Sequence, residues 1–428
     1  MPHKNGALNK ETDVAQLAIS PNLPAHIPLL LSQIHAQGKA YLDANPQTRI
    51  DLLESTRALV YALETPREAI LRHCWSETTS YAAIETGINV GLFTALGMTD
   101  QATTVAQLAK TTNVDPVLLG ALPTSPLCRL TKHLAAMGVL LETGKDSYQP
   151  TGFSKTLTEQ KYSDAFPLMT TRFTQGFLAL PAFLAQTHYA NPTSPTETAF
   201  QLGHRTSLNF FEHVQREPDT ARRFNNHMGV YAQGRPRWMD PGFYPVQRQL
   251  VEGAVPAIGE EGVLLVDVGG SFGHDLLDFR RKWPDVPGRL VLQDLPEVVA
   301  SVPGEVRELG IEAMGYDFFT AQPVIGARAY YLHSILHDWP DDLCRRILAN
   351  LTAAMTPGYS KLLINENVIP DTGAYWETTS LDFIMMSIGS GERTESQWRG
   401  LLEGAGLKVV KIWAAQRGVE SLIECELV

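Results

Sequence analysis

The stretch Leu264–Asp275, LLVDVGGSFGHD, decides the fold. It reads as a short, bounded apolar strand that ends in an acid, a glycine turn, and the opening of a helix. Such a run suits a central parallel strand in an α/β sheet. Gly269, Gly270 and Gly273 let the backbone turn sharply and come close to a ligand, where any Cβ would stand in the way. The turn therefore suits a nucleotide-like cofactor.

The spacing narrows the choice. A dinucleotide fingerprint needs glycines at its first, third and sixth positions. Counted from Gly269, the third and sixth are Ser271 and His274. No GxxxxGK[ST] phosphate loop occurs anywhere in the chain. Asp267, two positions before the first glycine, instead suits a ligand with a cationic or amine-bearing end, for which S-adenosylmethionine (SAM) is the candidate. The next strand, Arg289–Gln293, runs into Asp294 and Leu295, and an acid at the end of the second strand is where a ribose is held in this kind of sheet. Asp317 precedes Phe318, a pairing that suits an adenine edge and face. The competing reading of Asp294 or Asp317 alone is a cap of a helix or turn, but three acids in register after three successive strands favour a ligand.

A second segment, Ala327–Asp342 (ARAYYLHSILHDWPDD), reads as a strand followed by a loop with His333, His337, Asp338 and Trp339. Pro340 and the acids after it suit the start of a helix. His337 then stands at the C-terminal edge of the sheet, where open α/β folds bind ligands, and can take a proton from a substrate hydroxyl. Glu366 closes the strand KLLINE, and Glu392 lies in the loop IGSGERTE. A carboxylate on one imidazole nitrogen fixes the tautomer and stabilises the cation formed on proton uptake. No metal is expected, because His333 and His337 share a face only on a helix, and this segment does not read as one.

Upstream, a segment rich in aromatics carries His227, Met228, Tyr231 and Trp238, which with Asp338 and Met385 are candidates to wall an apolar substrate pocket. Core packing is the competing reading for each, and for Met385 in particular. The last part, LKVVKIWAAQRGVESLIECELV, reads as an antiparallel hairpin at the end of the sheet.

The chain has 428 residues, 44% hydrophobic and 19% charged, as in ordinary soluble proteins, and is long enough for two domains. Its net charge of −11 argues against nucleic acid as a partner. Four scattered cysteines without a CxxC pair read as reduced thiols. The first residues lack the apolar core of a signal peptide, and no apolar run is long enough for a membrane span. The expected location is the cytoplasm. Residues 1–22 read as a flexible tail, 23–195 as a helical domain with a winged-helix unit over Val105–Leu157, and 196–428 as the α/β domain. Ala121–Cys128 (ALPTSPLC) puts two prolines into what otherwise reads as one helix, either a surface loop or a fragment of the gene left unspliced.

In order, VDVGGSFG, QDLP, the DFF segment, LHDWPDD, NENVIP and GERTE resemble the motifs of plant-type small-molecule O-methyltransferases, especially their fungal relatives. The resemblance runs from about Leu29 to Val428. It implies a helical, winged-helix dimerisation region, a Rossmann-like class I SAM domain and a homodimer. It also implies His337 as general base flanked by Glu366 and Glu392, and SAM contacts at Gly269, Asp294, Asp317 and Phe318. Two departures stand out: Ser271 replaces a usual glycine, and His333 replaces a lysine that plant members place near the adenine. The acceptor implied is a hydrophobic, hydroxylated secondary metabolite. Two rival readings keep the motifs: a fungal pericyclase of the same fold that steers dehydration or cycloaddition, and a SAM-sensing winged-helix regulator without catalysis.

Overall fold

The protein was analysed as a computed structural model that describes residues 14–42, 46–99, 101–114, 128–254 and 262–428. It divides into two compact units, Met1–Pro167 and Leu168–Val428. Residues 1–13 and the proline-bearing insert at 121–127 lie outside the described residues.

In the first unit, helices Ile27–Leu42 and Pro46–Leu63 pack on each other, followed by Pro66–Leu71, a π-helical turn at Arg72–Ser76, Glu77–Asn89 and Leu92–Gly97. The expected tail needs correction at its C-terminal end. Val14–Ala18 is helical, and the N–H groups of Asn22 and Leu23 donate to the carbonyls of Glu64 and Ala62. Next come β1 (Thr103–Thr104), helices Val105–Thr112 and Cys128–Ala136, and β2 (Leu140–Gly144) with β3 (Ser147–Pro150). These strands form an antiparallel sheet in the order β1-β3-β2. Phe93, Leu96, Leu108, Leu134 and Tyr148 form the core beneath it. Thr104 and Gln107 cap the helix at Val105 reciprocally, so the TVAQ sequence itself marks the helix start.

The second unit opens with helices, among them Thr174–Gln186, Ala199–His204, Phe210–Gln215 and Pro218–Tyr231. Its sheet contains β4 (Val263–Val268), β5 (Arg289–Asp294), β6 (Ile311–Gly315), β7 (Ala329–His333) and β8 (Lys361–Glu366). Two short strands, β9 (Val368–Ile369) and β10 (Arg393–Thr394), pair with each other apart from it. The sheet is completed by β11 (Leu407–Trp413) and β12 (Ser421–Leu427). The order is β11-β12-β8-β7-β4-β5-β6, parallel from β6 to β8, with β12 antiparallel to both of its neighbours. The terminal hairpin is present as the sequence suggests, but its second strand lies inside the sheet, between β8 and β11.

Both faces of the sheet are covered, as a buried parallel sheet requires. Along β7, Ala329 and Tyr331 join one core with Leu265, Phe279 and Leu292, while Tyr330 and Leu332 join the other with Val266, Ile347 and Trp398. This is the two-residue period of a strand. The chain order reverses on either side of β4, which opens the crevice where such sheets bind ligands. No helix among the described residues is long and apolar enough to cross a membrane.

Candidate active site

The glycine turn leaves β4 at the crevice. Gly269 and Gly273 have left-handed backbones (φ +77° and +78°), and so does Ser271 (φ +51°). Ser271 thus adopts the conformation of the glycine it replaces. The N–H groups of Gly269 and Gly270 both donate to the Gln293 carbonyl, at 2.8 and 3.1 Å. The glycines are required by the protein's own side chains. A Cβ on Gly270 would sit 2.4 Å from Asp267 Oδ2 and 2.5 Å from Leu292 Cδ1, and one on Gly269 would sit 2.6 Å from Ile335 Cδ1.

Asp267 is buried, and neither of its carboxylate oxygens has a hydrogen-bond partner. Burial pushes its pKa well above the usual carboxylate range, and the neighbouring Asp275 adds to the shift. A buried acid without a partner, beside a backbone turn, fits a ligand that brings positive charge or an N–H donor. Asp294 holds the turn from the next strand: one oxygen accepts the Ser271 N–H and the other the Leu295 N–H, both at 2.8 Å. The Leu295 side chain is exposed. Asp317 accepts the Phe319 N–H at 2.9 Å, a turn-capping contact. Phe318 packs edge-on to Trp339 and lies beside Gly269. The structure therefore brings Asp267, the glycines, Asp294, Asp317 and Phe318 to one end of the sheet, with Asp294 and Asp317, but not Asp267, also accepting backbone N–H groups of the turns.

His337 sits on a 3-10 turn, Leu336–Asp338, between β7 and the helix Asp341–Ala354. Its Nδ1 is 2.9 Å from Glu392 Oε1, and its Nε2 is 3.6 Å from Asp338 Oδ1. Burial works against charge on the ring, but Glu366, Asp338 and Glu392 outweigh it and raise the pKa to about 10. Glu366 does not meet the ring as the sequence suggested. Its Oε1 accepts the backbone N–H groups of Ile335, Leu336 and His337 at 2.9, 2.8 and 3.3 Å, so it braces the turn. Burial raises the Glu366 pKa to about 7. The His337, Glu366 and Glu392 ligand atoms lie within 4.8 Å of one another, but Glu366 Oε1 and His337 Nδ1 are already engaged internally.

His333 occupies a different setting from the one expected. At the end of β7, its Nδ1 lies 2.5 Å from Asp275 Oδ2 and its Nε2 3.3 Å from Glu420 Oε2. Tyr331 also donates to Asp275, at 2.8 Å, and Arg237 at 3.2 Å. Burial disfavours the imidazolium, yet Asp275 and Glu420 hold its pKa well above the ordinary value. Both ring nitrogens are thus committed to carboxylates, which leaves neither for a cofactor base. Asp275 closes the stretch that decides the fold, but its partners are distant in sequence, so its role is not visible there.

The candidate pocket residues divide. His227 is largely buried on helix Pro218–Tyr231, with its Nδ1 unpartnered and its pKa lowered by burial. Met228 is exposed. The Tyr231 hydroxyl accepts from Asn367 at 3.2 Å, and the Arg235 guanidinium lies 3.8 Å over its ring. Trp238 is buried in the core against Tyr244, Phe279 and Tyr331, and it also borders a small pocket with Tyr331, His333 and Glu420, whose lining does not include His337. Met385 packs with Phe200, Phe210 and Ile388, consistent with core packing. A cavity of about 670 Å³ does adjoin the His337 turn, lined by Phe210, Phe211, Asp338, Trp339, Ile388 and Ser390 among others. Of the expected pocket residues only Asp338 lines it; the sequence did not single out Phe210 and Phe211, adjacent rings of which the first is buried and the second exposed.

Comparison with known proteins is consistent with this geometry. A family model described as an O-methyltransferase domain matches residues 259–408. The O-methyltransferase mpaG of Penicillium brevicompactum is 35% identical over 93% of this chain and 98% of its own. A solved structure described as a pericyclic reaction enzyme is 29% identical, with a TM-score of 0.77 over 94% of this chain and 100% of that one. The structure of LepI in complex with SAM is 28% identical, with a TM-score of 0.78 over 94% and 99%.

Proposed function

This chain belongs to the O-methyltransferase family and is a SAM-dependent enzyme, and from that premise we propose that His337 deprotonates a hydroxyl of an apolar small molecule, which then takes the methyl group. The observation that carries this reading is the His337–Glu392 contact of 2.9 Å beside a cavity of about 670 Å³. Glu392 accepts a hydrogen bond from Nδ1–H, which leaves Nε2 as the ring nitrogen that meets a substrate; because the flanking carboxylates raise the pKa to about 10, only the neutral fraction of the ring acts as base, and that fraction grows with pH.

When bound, SAM supplies an electrophilic methyl on a sulfonium. On this reading Asp267 and the Gly269–Gly273 turn receive its charged end, and Asp294, Asp317 and Phe318 its ribose and adenine. Phe210, Phe211 and Ile388 hold the apolar body of the acceptor and exclude water. Alignment of two reactants is worth on the order of 7–11 kcal/mol in favourable cases. A positioned base adds roughly 10²–10⁴-fold.

We assign dimer formation to the N-terminal helices, with residues 23–195 as the dimerisation domain and 196–428 as the SAM domain. Helix Ile27–Leu42 buries none of its residues within the chain, and Leu29, Leu31 and Leu42 are exposed, which suits a second copy. A charged His337 is also a hydrogen-bond donor, and this favours a second reading, dehydrative or pericyclic catalysis, for which the pericyclic neighbour is a precedent. Mass spectrometry of the protein with SAM and a panel of phenolic and hydroxypyridone metabolites separates the two. A product heavier by one methylene, with S-adenosylhomocysteine, supports methyl transfer. Isomers or loss of water, with SAM unconsumed, support the second reading.

A further inference from the structure

Arg393 follows Glu392 in the GERT segment and is buried. Its Nη1 donates to the Leu336 carbonyl and its Nη2 to the Trp339 carbonyl, both at 2.8 Å. Nε and Nη2 also donate to Asp341 Oδ1, at 3.1 and 2.9 Å. The guanidinium lies over the Trp398 ring, 5.1 Å from its centroid. The two carbonyls it grips bracket His337. The His337 carbonyl itself accepts from the Ser390 hydroxyl and from the Gly391 N–H at 3.4 Å.

Glu366 holds the same turn from the opposite direction, gathering the N–H groups of residues 335–337. The short turn that carries the imidazole is therefore gripped at its donors by a buried anion and at its acceptors by a buried cation. Only a planar fork reaches carbonyls three residues apart and a carboxylate at once; an ammonium has donors but not that geometry.

We propose that Arg393 is a positioning residue: by gripping the carbonyls on either side of His337, it sets the angle at which the ring meets Glu392. The proposal rests on the reading of His337 as the working imidazole. The competing account is a buried arginine that only satisfies loop carbonyls and leaves the ring unaffected.

The two are separated by a measurement that needs no acceptor, the pH titration of His337 by NMR in histidine-labelled protein. His337→Gln identifies its signal among the twelve histidines. In the unaltered protein the midpoint is expected well above the ordinary histidine value, because Glu366, Asp338 and Glu392 surround the ring. In Arg393→Lys, which keeps the positive charge, it falls by at least about one pH unit, a tenfold change in proton affinity, as the ring loses its alignment with Glu392; in Arg393→Met the loss of a nearby cation works in the opposite direction, so the fall there is smaller and Arg393→Lys is the deciding variant. His333, held by Asp275 and Glu420, does not move, and calorimetry shows SAM binding retained. Should the Arg393 variants fail to fold, Asp341→Asn, at a half-exposed carboxylate, loosens the guanidinium and lowers the midpoint in the same direction by less. An unmoved His337 midpoint in folded Arg393→Lys, or in Asp341→Asn if the Arg393 variants do not fold, overturns the proposal. Failure to find a methylated product bears on the base reading alone and leaves this readout intact.

Discussion

Glu392 accepts the Nδ1 proton of His337 across 2.9 Å, and its own side chain is closed to solvent. A carboxylate so enclosed has little else to stabilise than the imidazolium, and the pair therefore acts as a unit. His337→Ala is expected to lower turnover by roughly 10²–10⁴-fold while SAM still binds. Glu392→Gln keeps the shape but loses the charge, with an expected loss between about 10-fold and the 10⁴-fold seen when a triad carboxylate becomes an amide. Single-turnover rates with calorimetric SAM binding test both. A His337→Ala enzyme with near-normal turnover would remove the base from the mechanism.

The glycine turn gives a sharper test than the catalytic pair. Gly270→Ala places a methyl 2.4 Å from Asp267 Oδ2 and 2.5 Å from Leu292 Cδ1, so two buried side chains must both shift to admit it. Overpacking of this kind costs typically about 1–3 kcal/mol. The variant should melt at lower temperature and bind SAM more weakly. Unchanged melting and affinity would mean that the turn is looser than its contacts imply.

Stability should fall as pH rises. His337, raised to about 10 from an ordinary value of 6.5, contributes fully below about 6.5 and loses that contribution as pH climbs through about 10. Glu366, raised to about 7, binds its proton more tightly in the folded state, so its contribution is likewise lost as pH rises through about 7. Both signs agree. The SAM-free protein is therefore expected to melt at a lower temperature at about pH 9 than at about pH 6, and His337→Gln should flatten part of that slope. Melting curves that are level or rise over this range would contradict the assignment.

The His333 cluster predicts a different phenotype. Asp275 holds His333, Tyr331 and Arg237 at once, and removing one partner of a buried ion pair typically costs about 3–5 kcal/mol. Asp275→Asn should lower stability in urea unfolding by that order and bring the His333 midpoint down. If stability and midpoint both stay put, the cluster is decorative.

The sheet was legible in the sequence because its signals are local. The bounded run before Asp267, the acids closing β5 and β8, and the apolar pattern of β7 each announce a strand or its end without reference to the rest of the chain. His337 and Glu392 were each legible as loop residues suited to an imidazole–carboxylate contact, and the resemblance implied the same pair across the 55 residues that separate them. What stayed hidden depends on which atom of a side chain does the work. That Glu366 serves three backbone N–H groups and not a ring, or that both His333 nitrogens are taken, follows from distances that no spacing encodes. The same holds for Lys361, a charge at the start of a buried strand, whose partner Glu424 lies 63 residues on. Trp238 was ambiguous because an aromatic reads the same in sequence whether it borders a pocket or fills a core, and in the fold it packs in the core while bordering a small pocket.

The placement of β12 between β8 and β11 has a consequence for how the chain is made. A nascent polypeptide that has emerged as far as Glu420 has β8 ready but no neighbour for its outer edge, and Lys361 on that strand has yet to meet the Glu424 carboxylate that neutralises it. The sheet therefore closes late, after the hairpin has formed and docked. During synthesis the bare edge of β8 is the point at which a wrong strand, from this chain or another, has its best opportunity to pair.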